Sequence, residues 1–353
     1  MDFDTPLPNR LESLVLKSPM ETTLAIEAFE IIGPELKEVE QFLRRELNSD
    51  VTLVPQVGSH ILNSGGKRFR PSDLLVSARL CGLGSGRAAS NGQAPIAMAA
   101  TMELIHTATL LHDDVVDDAS MRRGIPSANR LWGNEVSVLI GDFILTKAFQ
   151  AVIQQRDFRI LDLLVKTTIL MAEGEAFQLL KRRDVKFSET DYLSVIERKT
   201  AMLISNACQI GAISVQAKPE IEKALVDYGH HIGMAFQIMD DYLDYIADGE
   251  KLGKTIGKDI TEGKLTLPLI VALRESSPQR RKRIGMLLHK ESIENTDLLF
   301  VRKFIEEQGG LEYTKQQAHR YVEKAKANLN PFPDTPEKRA LSKLADYVIE
   351  RSQ

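Results

Sequence analysis

The stretch LLHDDVVDD, residues 110–118, joins an apolar helical pattern to three aspartates with the spacing DDxxD, which are Asp113, Asp114 and Asp117. On a helix, residues four positions apart share a face, so Asp113 and Asp117 should point the same way. Three carboxylates within one turn repel each other unless a cation neutralises them. Their oxygen atoms are ligands that Mg²⁺ prefers, and Mg²⁺ is usually shared with substrate phosphates. The stretch therefore predicts a long helix that carries a magnesium site.

A second stretch, FQIMDDYLDY at residues 236–245, repeats this spacing with Asp240, Asp241 and Asp244. A single acidic cluster on a helix is most often a solvated face. Two matching clusters, each preceded by an apolar run, instead favour facing sites that bind one diphosphate through several bridging metal ions. The pattern therefore indicates chemistry on a polyanionic substrate.

Helical periodicity continues through most of the chain, and turn signals are too widely spaced for an all-β protein. VSVLIG (136–141) would suit a strand in isolation, but it lies within a longer helical pattern. We expect a partly flexible arm at 1–28 and one large all-α domain at 29–353, with long apolar helices around a central cavity. The predicted helices are 33–48, 51–64, 71–80, 94–118, 134–155, 158–183, 188–217, 219–247, 265–275, 296–308, 311–328 and 336–351.

Four segments have the composition of loops or exposed turns. A Gly/Ser-rich segment at 81–93 separates two predicted helices, and a Gly- and Lys-rich segment at 248–264 follows the second aspartate cluster. The charged segment 274–283 and the Pro-rich segment 330–337 are predicted to be exposed turns.

Composition limits the class of protein. The 353 residues are 43% hydrophobic, enough for a large core, and the net charge of −4 gives no sign of a nucleic-acid partner. Cys81 and Cys208 lie far apart without metal-ligand spacing, which predicts buried thiols in a reducing compartment. No uninterrupted apolar run approaches the roughly 18 residues of a membrane span, and the N-terminus has acids where a signal peptide needs bases. We therefore expect a cytoplasmic protein without an integral membrane segment.

Cationic side chains accompany the acidic clusters. The turn GGKRFRP places Lys67, Arg68 and Arg70 before a helix, where glycine permits close approach of an anion and arginine offers bidentate phosphate contacts. His106 precedes Asp113 by two helical turns on the same face, which favours a hydrogen bond to phosphate. Further candidate residues are Arg122, Arg123, Lys199, Thr200, Gln237, Lys254 and Lys264.

These motifs resemble those of the trans-isoprenyl diphosphate synthases, or polyprenyl synthetases, over about residues 33–351. LLHDDVVDDASMRRG resembles the first aspartate-rich motif with its arginine pair, and FQIMDDYLDY resembles the second. GGKRFRP is similar to the isopentenyl diphosphate motif, and GKTIGKDITEGKLTLP to the lysine-bearing loop. Thr255 stands where proline is frequent and Lys258 where a small or acidic residue is common, but neither departure removes a catalytic group.

The resemblance implies an isoprenoid-synthase-type helical bundle, a homodimer, and condensation of isopentenyl diphosphate with an allylic diphosphate such as farnesyl or geranylgeranyl diphosphate. Three Mg²⁺ ions would be bound by Asp113, Asp114, Asp117, Asp240, Asp241 and Asp244. The allylic diphosphate would be held by Arg122, Lys199, Gln237, Lys254 and Lys264. Isopentenyl diphosphate would be held by Lys67, Arg70, His106 and Arg123. The carbocation would be stabilised by the side-chain oxygens of Thr200 and Gln237.

Product length is expected to depend on the helix of the first cluster. In short-chain members of the family, bulky aromatic residues four or five positions before the first aspartate close the product tunnel; here these positions are Thr109 and Ala108. Ile105 and Met102, further along the same face, are not aromatic either. The tunnel should therefore stay open beyond C15 or C20, with Phe177 as a candidate floor. The resemblance then implies an all-trans product of about C40, within C30–C50, for quinone side chains.

Other classes of protein explain the motifs less well. A terpene cyclase or head-to-head synthase would need no isopentenyl diphosphate site and would normally replace the second DDxxD. A regulatory subunit of a heteromeric synthase would usually have lost motif residues that this chain keeps. A shorter-chain farnesyl or geranylgeranyl diphosphate synthase stays open as the alternative on product length.

Overall fold

The computed structural model describes residues 30–66, 68–85, 93–246, 257–290 and 292–350. The predicted arm at 1–28 lies outside the described residues, and so do Lys67 and Lys254.

Helices make up most of the described residues, and the predicted all-α fold is confirmed. The first part of the chain forms α1 Gly33–Glu46, α2 Leu53–Asn63, α3 Phe69–Ser85, α4 Gln93–Val116, β1 Met121–Arg122, β2 Ile125–Pro126, α5 Ala128–Trp132, α6 Asn134–Gln154 and α7 Phe158–Leu180. The second part forms α8 Glu189–Ile196, a π-helical turn Glu197–Ala201, α9 Met202–Ser214, α10 Pro219–Ile246, α11 Lys258–Thr261, α12 Leu267–Glu275, α13 Pro278–Leu288, α14 Asn295–Glu307, α15 Gly310–Asn328 and α16 Pro336–Glu350.

Each predicted helix corresponds to helical residues, and VSVLIG lies within α6. The exposed turn predicted at 274–283 is wrong from Pro278 onward, where α13 begins. Ser277 caps this helix by accepting a hydrogen bond from the backbone N–H of Arg280, and Pro278 occupies the first turn. The helices α5 and α11 and the β1–β2 hairpin were not predicted, because they are too short to show a hydrophobic period.

The long helices pack closely against one another, which fixes the relative positions of the helices that carry the aspartates. Helix α4 packs along α6, while α9 packs against both α3 and α10. Gly211 of α9 lies against the backbone oxygen of Leu74 in α3, so that an added Cβ would clash with it. Gly233 of α10 meets Ala201 in the same way. Interior contacts of this kind resist small displacements, which holds the helices in one relative position.

Two helices, α4 and α6, are long and apolar enough to cross a membrane by length and composition alone. In the most apolar part of α4, 78% of the residues are buried inside the protein, against 39% for α6. Core helices of globular proteins meet the same criteria, so the finding is weak evidence for a membrane span. The sequence analysis predicted both helices but did not single them out as candidate membrane spans, because it looked only for uninterrupted apolar runs.

Asp73 of α3 is a carboxylic acid in the core. It is fully buried, and neither of its carboxylate oxygens has a hydrogen-bond partner among the described residues. Burial raises the pKa of Asp73 well above its ordinary value, and the charge of Arg70 opposes this only in part. Asp73 therefore keeps its proton in the folded protein under conditions where the unfolded chain has lost it.

At pH 4 the Asp73→Asn variant should have nearly the same free energy of unfolding as the wild type. As the pH increases, the variant should become progressively more stable than the wild type. Above about pH 4 the unfolded wild-type chain releases the proton that the folded protein retains, so rising pH destabilises the wild type by about 1.4 kcal/mol per unit up to the folded pKa. Asparagine does not titrate. Urea unfolding at several pH values measures the difference, with Ser72→Ala as a buried control, and an effect equal at every pH would contradict the prediction.

Candidate active site

The segment Gly257–Lys264 contacts both acidic clusters. Lys264 Nζ donates to Asp117 Oδ2 at 2.7 Å, and the backbone N–H of Asp259 donates to Asp244 Oδ2 at 3.1 Å. Gly257 has a φ of 72° and donates its N–H to the backbone oxygen of Asp244. Glycine adopts this left-handed conformation without strain. The structure thus brings the C-terminal ends of α4 and α10 together around one segment.

Cations surround the outer aspartates of the first cluster. Asp117 accepts hydrogen bonds on both oxygens, from Lys264 and, at 2.5 Å, from Arg182 Nη2. Asp113 Oδ2 lies 3.8 Å from Lys199 Nζ. Lys199 also pairs with Glu175 of α7. Opposite charges therefore alternate across the cleft between α4, α7 and the π-helical turn.

The middle aspartate of each cluster is engaged within the protein. Asp114 is 4% exposed and accepts a hydrogen bond from Arg122 Nε at 2.9 Å. Asp241 is 6% exposed and accepts hydrogen bonds from the Tyr192 hydroxyl at 2.7 Å and from Gln237 Nε2 at 2.8 Å. The predicted clusters are thus not uniform, and their outer aspartates carry the candidate metal site.

Burial changes the protonation of most of these carboxyl groups. It raises the pKa of Asp113, and the charge of Lys199 offsets this only in part. It raises the pKa of Asp241 to about 7 and raises that of Asp244 as well. At Asp117 burial acts in the same direction, but the surrounding cations outweigh it and the pKa is lowered. Asp113, Asp241 and Asp244 are therefore short of compensating positive charge, whereas Asp117 is not.

A divalent cation fits this set of donors. Among the described residues, no three His, Cys, Asp or Glu side chains converge as a ready-made group of metal ligands. The available donors are carboxylate oxygens, and a bound cation would relieve the unfavourable charge that raises their pKa values. Mg²⁺ is usually held by one or two carboxylates together with waters and substrate phosphates. The donor set therefore suits Mg²⁺ shared with a phosphate group.

A cluster of basic side chains lies beside α4. Arg70 is half-buried, and its buried Nε has no hydrogen-bond partner among the described residues. Burial lowers the pKa of His106 well below its ordinary value, and Arg70 and Arg123 lower it further, so that the imidazole is neutral. Arg123 Nη1 passes so close to Gly66 that an added Cβ would lie 2.8 Å from it. Three of the side chains predicted to bind an anion are therefore neighbours.

Arg68, the middle cation of the GGKRFRP turn, has a different environment. Its guanidinium donates to Glu40 of α1 and to Glu103 of α4, each at 2.6 Å. Its backbone has a φ of 46°, which few residues other than glycine adopt. Arg68 thus ties the turn to two helices, which leaves Arg70 to face the basic cluster.

The β1–β2 hairpin places the arginine pair that follows the first cluster. Arg123 and Gly124 form its turn, with φ values of 53° and 82°. Positive φ at both turn residues matches the right-handed twist of the paired strands. Consecutive residues of the hairpin then diverge, so that Arg122 meets Asp114 while Arg123 joins the basic cluster.

The π-helical turn Glu197–Ala201 carries Lys199 and Thr200 into the cleft. Thr200 Oγ1 donates to Gln237 Oε1 at 2.8 Å, which links the turn to α10. Such turns widen a helix locally and occur frequently at functional sites. The structure therefore brings Lys199, Thr200 and Gln237 together, although they are distant in sequence.

Sequence reasoning missed several residues of this site. These are Glu175, Arg182, Tyr192, Asp259 and Glu262. Asp259 and Glu262 stand within the GKDITEGK stretch, where acids beside lysines were a usable signal. The other residues come from α7, α8 and the connection between them, and no local pattern marks them.

The candidate residues for product length have unequal positions. Ala108 and Ile105 are fully buried, and Thr109 is partly buried with its hydroxyl donating to the backbone oxygen of His106. None of the three is bulky enough to close the space beside Asp113.

Phe177 does not lie where a tunnel floor is needed. Its neighbours along the chain, Glu175 and Arg182, contact Lys199 and Asp117, so Phe177 lies level with the aspartates. Its ring also packs near that of Phe187, 6.3 Å away between centroids. The error arose because sequence alone does not show at which height α7 passes α4.

The sequence profile of the family described as Polyprenyl synthetase matches residues 51–304. The chain belongs to the polyprenyl synthetase family. It is 41% identical over 324 residues to octaprenyl diphosphate synthase of Escherichia coli, which covers 92% of this chain and 98% of the relative. Geranylgeranyl diphosphate synthase of Methanosarcina mazei is 35% identical over 298 residues, covering 83% and 88%. A crystal structure of polyprenyl synthase from Caulobacter crescentus, complexed with calcium and isoprenyl diphosphate, has a TM-score of 0.87 and 36% identity, covering 93% and 98%.

The predicted family and the assignment as a prenyltransferase are confirmed. Polyprenyl synthetases are Mg²⁺-dependent enzymes that use isopentenyl diphosphate and an allylic diphosphate. The relatives bear names for different product lengths, from geranylgeranyl to octaprenyl diphosphate. Family membership alone therefore leaves the product of this polyprenyl synthetase open.

Replacing Asp113 by asparagine should lower turnover by at least ~100-fold, because it removes negative charge where a metal ion would stabilise the leaving group. Folding should survive, since the change relieves repulsion between buried carboxylates. Asp118→Asn is the matched control, because its side chain is 77% exposed on the same acidic stretch. Initial rates with saturating substrates and Mg²⁺ decide the matter, and near-normal turnover of the Asp113 variant would remove the first cluster from the metal site.

Proposed function

We propose that this polyprenyl synthetase makes an all-trans polyprenyl diphosphate of about C40, octaprenyl diphosphate, in the cytoplasm for quinone side chains. It would extend farnesyl or geranylgeranyl diphosphate by head-to-tail condensation with isopentenyl diphosphate. The observation that carries the proposal is the presence of two anion sites of different character. One mixes aspartates with cations, and the other, around Arg70, is mainly basic.

The allylic diphosphate belongs to the site between the acidic clusters. Three Mg²⁺ ions, held mainly by Asp113, Asp117, Asp240 and Asp244, would bind its phosphate oxygens, while Asp114 and Asp241 support them from behind. Lys199 and Lys264 already line this cleft, with Lys264 only 8% exposed. Arg122, Gln237 and Lys254 complete the proposed set.

Isopentenyl diphosphate belongs to the basic cluster, which needs no metal ion. Arg70 and Arg123 offer guanidinium forks that match phosphate oxygens, and the unpartnered Nε of Arg70 is a donor in need of an acceptor. The neutral His106 has one ring N–H to donate and adds no charge. Lys67 belongs to the same proposed set.

The reaction would begin with loss of the allylic diphosphate. Bound Mg²⁺ would supply the positive charge that stabilises this leaving group. Lys199 and Lys264 would hold the departing diphosphate. The side-chain oxygens of Thr200 and Gln237, which are hydrogen-bonded to each other, would stabilise the allylic cation through their negative dipole ends. Apolar helices around the chain exclude water that would quench the cation. The departing pyrophosphate is the proposed acceptor of the proton lost after condensation.

Product length is argued from α4. About 20 residues separate Asp113 from the start of this helix at Gln93, which corresponds to roughly 30 Å along its axis. Ala108 and Thr109 leave the space nearest the aspartates open, and the chain can grow toward the N-terminal end of α4. A floor must lie nearer the N-terminal end of α7 than Phe177 does. The identity to the octaprenyl synthase supports a product of about C40.

Incubating the purified protein with farnesyl diphosphate, isopentenyl diphosphate and Mg²⁺ should give a product centred on about C40. Ala108→Phe should shorten it toward C15–C20, because the ring fills space beside the aspartates while the reacting groups stay in place. Ala327→Phe, at an exposed position of α15, is the control. Reverse-phase chromatography of the dephosphorylated products measures chain length.

Three outcomes would overturn the proposal on product length or activity. A wild-type product no longer than C20 would favour the shorter-chain alternative. An unchanged product in a folded Ala108→Phe variant would exclude this part of α4 as the tunnel wall. No product from the purified chain, with activity appearing only beside a second subunit, would favour a component of a heteromeric synthase.

We also propose a homodimer that forms through α6 and α7. Both helices expose large apolar side chains to solvent: Leu139 is 66% exposed, Ile153 60%, Phe158 82% and Ile169 54%. Several large exposed apolar side chains on two neighbouring helices are typical of an interaction surface. A second copy presents the same surface, so a two-fold contact would cover both faces at once.

Sedimentation equilibrium at micromolar concentration should give twice the chain mass of 39.5 kDa. The double variant Leu139→Glu/Ile169→Glu should sediment as a monomer, because two buried charges per subunit destabilise the interface. Met286→Glu changes an equally exposed apolar residue, 68% exposed, on α13 and should leave the dimer intact. A monomeric wild type would refute the proposal.

A further inference from the structure

Two cations, Lys264 and Arg182, pair with Asp117, and they differ in whether another carboxylate is within reach. Lys264 Nζ lies 2.7 Å from Asp117 Oδ2 and also 2.7 Å from Glu262 Oε2, so it keeps a carboxylate partner if Asp117 is lost. Arg182 Nη2 lies 2.5 Å from Asp117 Oδ1, and Asp117 is its ion-pair partner. Its Nε is buried without a hydrogen-bond partner among the described residues. Arg182 therefore has donor capacity that the protein does not satisfy.

The chain between α7 and α8 aims Arg182 into the cleft. Helix α7 ends at Leu180, and Arg183 adopts a φ of 63°, which reverses the chain direction. The backbone N–H of Arg183 then donates to the oxygen of Gly263 at 2.8 Å, which fixes the connection to the segment that carries Lys264. Arg182 is consequently held between Asp117 and the segment that carries Lys264, although nothing in its local sequence marks it as a site residue.

We propose that Arg182 is a further diphosphate-binding residue, which pairs with Asp117 before ligands bind and transfers its guanidinium to phosphate oxygens when a divalent cation binds Asp117. The proposal rests on the proposed function of this site. A carboxylate oxygen that coordinates a metal ion gives up much of its capacity to accept a charge-assisted hydrogen bond. Lys264 would retain Glu262, whereas Arg182 would need a new anion.

The allylic diphosphate is the anion within reach. Its oxygens would be bound to the same metal ions as Asp117, and the planar guanidinium fork matches two of them. Three cations would then surround the leaving group: Lys199 from the π-helical turn, Lys264 from the segment 257–264, and Arg182 from the residues that follow α7. Isopentenyl diphosphate, held at Arg70, would be unaffected.

Binding of inorganic pyrophosphate, measured by calorimetry with and without Mg²⁺, tests the proposal without requiring turnover. Arg182→Ala should weaken pyrophosphate binding in the presence of Mg²⁺ by roughly 10-fold or more, as expected for one charge-assisted hydrogen bond. Arg182→Lys should fall between, because it keeps the charge but loses the fork. Lys186→Ala, an exposed residue of the same connection, should bind like the wild type.

Steady-state kinetics should agree with the binding data. The KM for farnesyl diphosphate should rise in Arg182→Ala by about the same factor, whereas the KM for isopentenyl diphosphate should stay within about twofold. Thermal unfolding of all variants shows whether they fold, and the lysine variant preserves the test if the alanine variant does not.

A purely structural partner of Asp117 would behave differently. In that case Arg182→Ala would free an oxygen of Asp117, and Mn²⁺ would bind more tightly, while the affinity for pyrophosphate would stay unchanged. That result would overturn the proposal. Equal increases in both KM values would do the same. A wild-type protein that binds pyrophosphate with Mg²⁺ but makes no polyprenyl product would count against the proposed function alone, because the comparison of pyrophosphate affinities would still decide the role of Arg182.

Discussion

Repulsion between two groups of carboxylates at one end of the bundle is the constraint on which the site depends. At an effective dielectric constant of about 20, two like charges 4 Å apart repel by about 4 kcal/mol. Each cluster has three aspartates within five consecutive residues. The protein offsets the repulsion with interleaved cations, of which Lys199, Lys264 and Arg182 lie between or beside the outer aspartates. Burial raises the pKa values of Asp113 and Asp244, and the favourable contacts of these carboxylates offset this only in part.

The helices do not relax away from this repulsion, because their packing leaves no room to do so. Glycines at helix crossings, such as Gly211 and Gly233, bring backbones into contact and fix the positions of α9 and α10. The middle aspartates, Asp114 and Asp241, are anchored by hydrogen bonds to Arg122 and to Tyr192. Rigid packing thus keeps like charges close together at one end of the bundle, where a bound cation would neutralise them.

The sequence predicted the parts of this arrangement that are periodic or local. The DDxxD spacing placed the aspartates on helix ends, and GGKRFRP indicated an anion site, because neither inference needs distant contacts. The contact of Arg182 with Asp117 depends on a left-handed Arg183 and on a docked loop, which no pattern encodes. Phe177 was misplaced for the same reason, since its height in the bundle follows from packing. For α13 the signal existed in Ser-Pro, but the charged composition outweighed it.

The ion pairs of Asp117 also bear on the order in which a metal ion and a diphosphate bind. A metal ion that binds alone must compete with Lys264 and Arg182 for the oxygens of Asp117, while a free diphosphate meets the negative charge of Asp113 and Asp244. A metal ion and a diphosphate that arrive together relieve both difficulties, because the metal neutralises the aspartates and the diphosphate accepts the released cations. The charge pattern therefore favours the metal–diphosphate complex over either component. The metal ion thereby adds its positive charge to that of Lys199, Lys264 and Arg182 when the leaving group is bound.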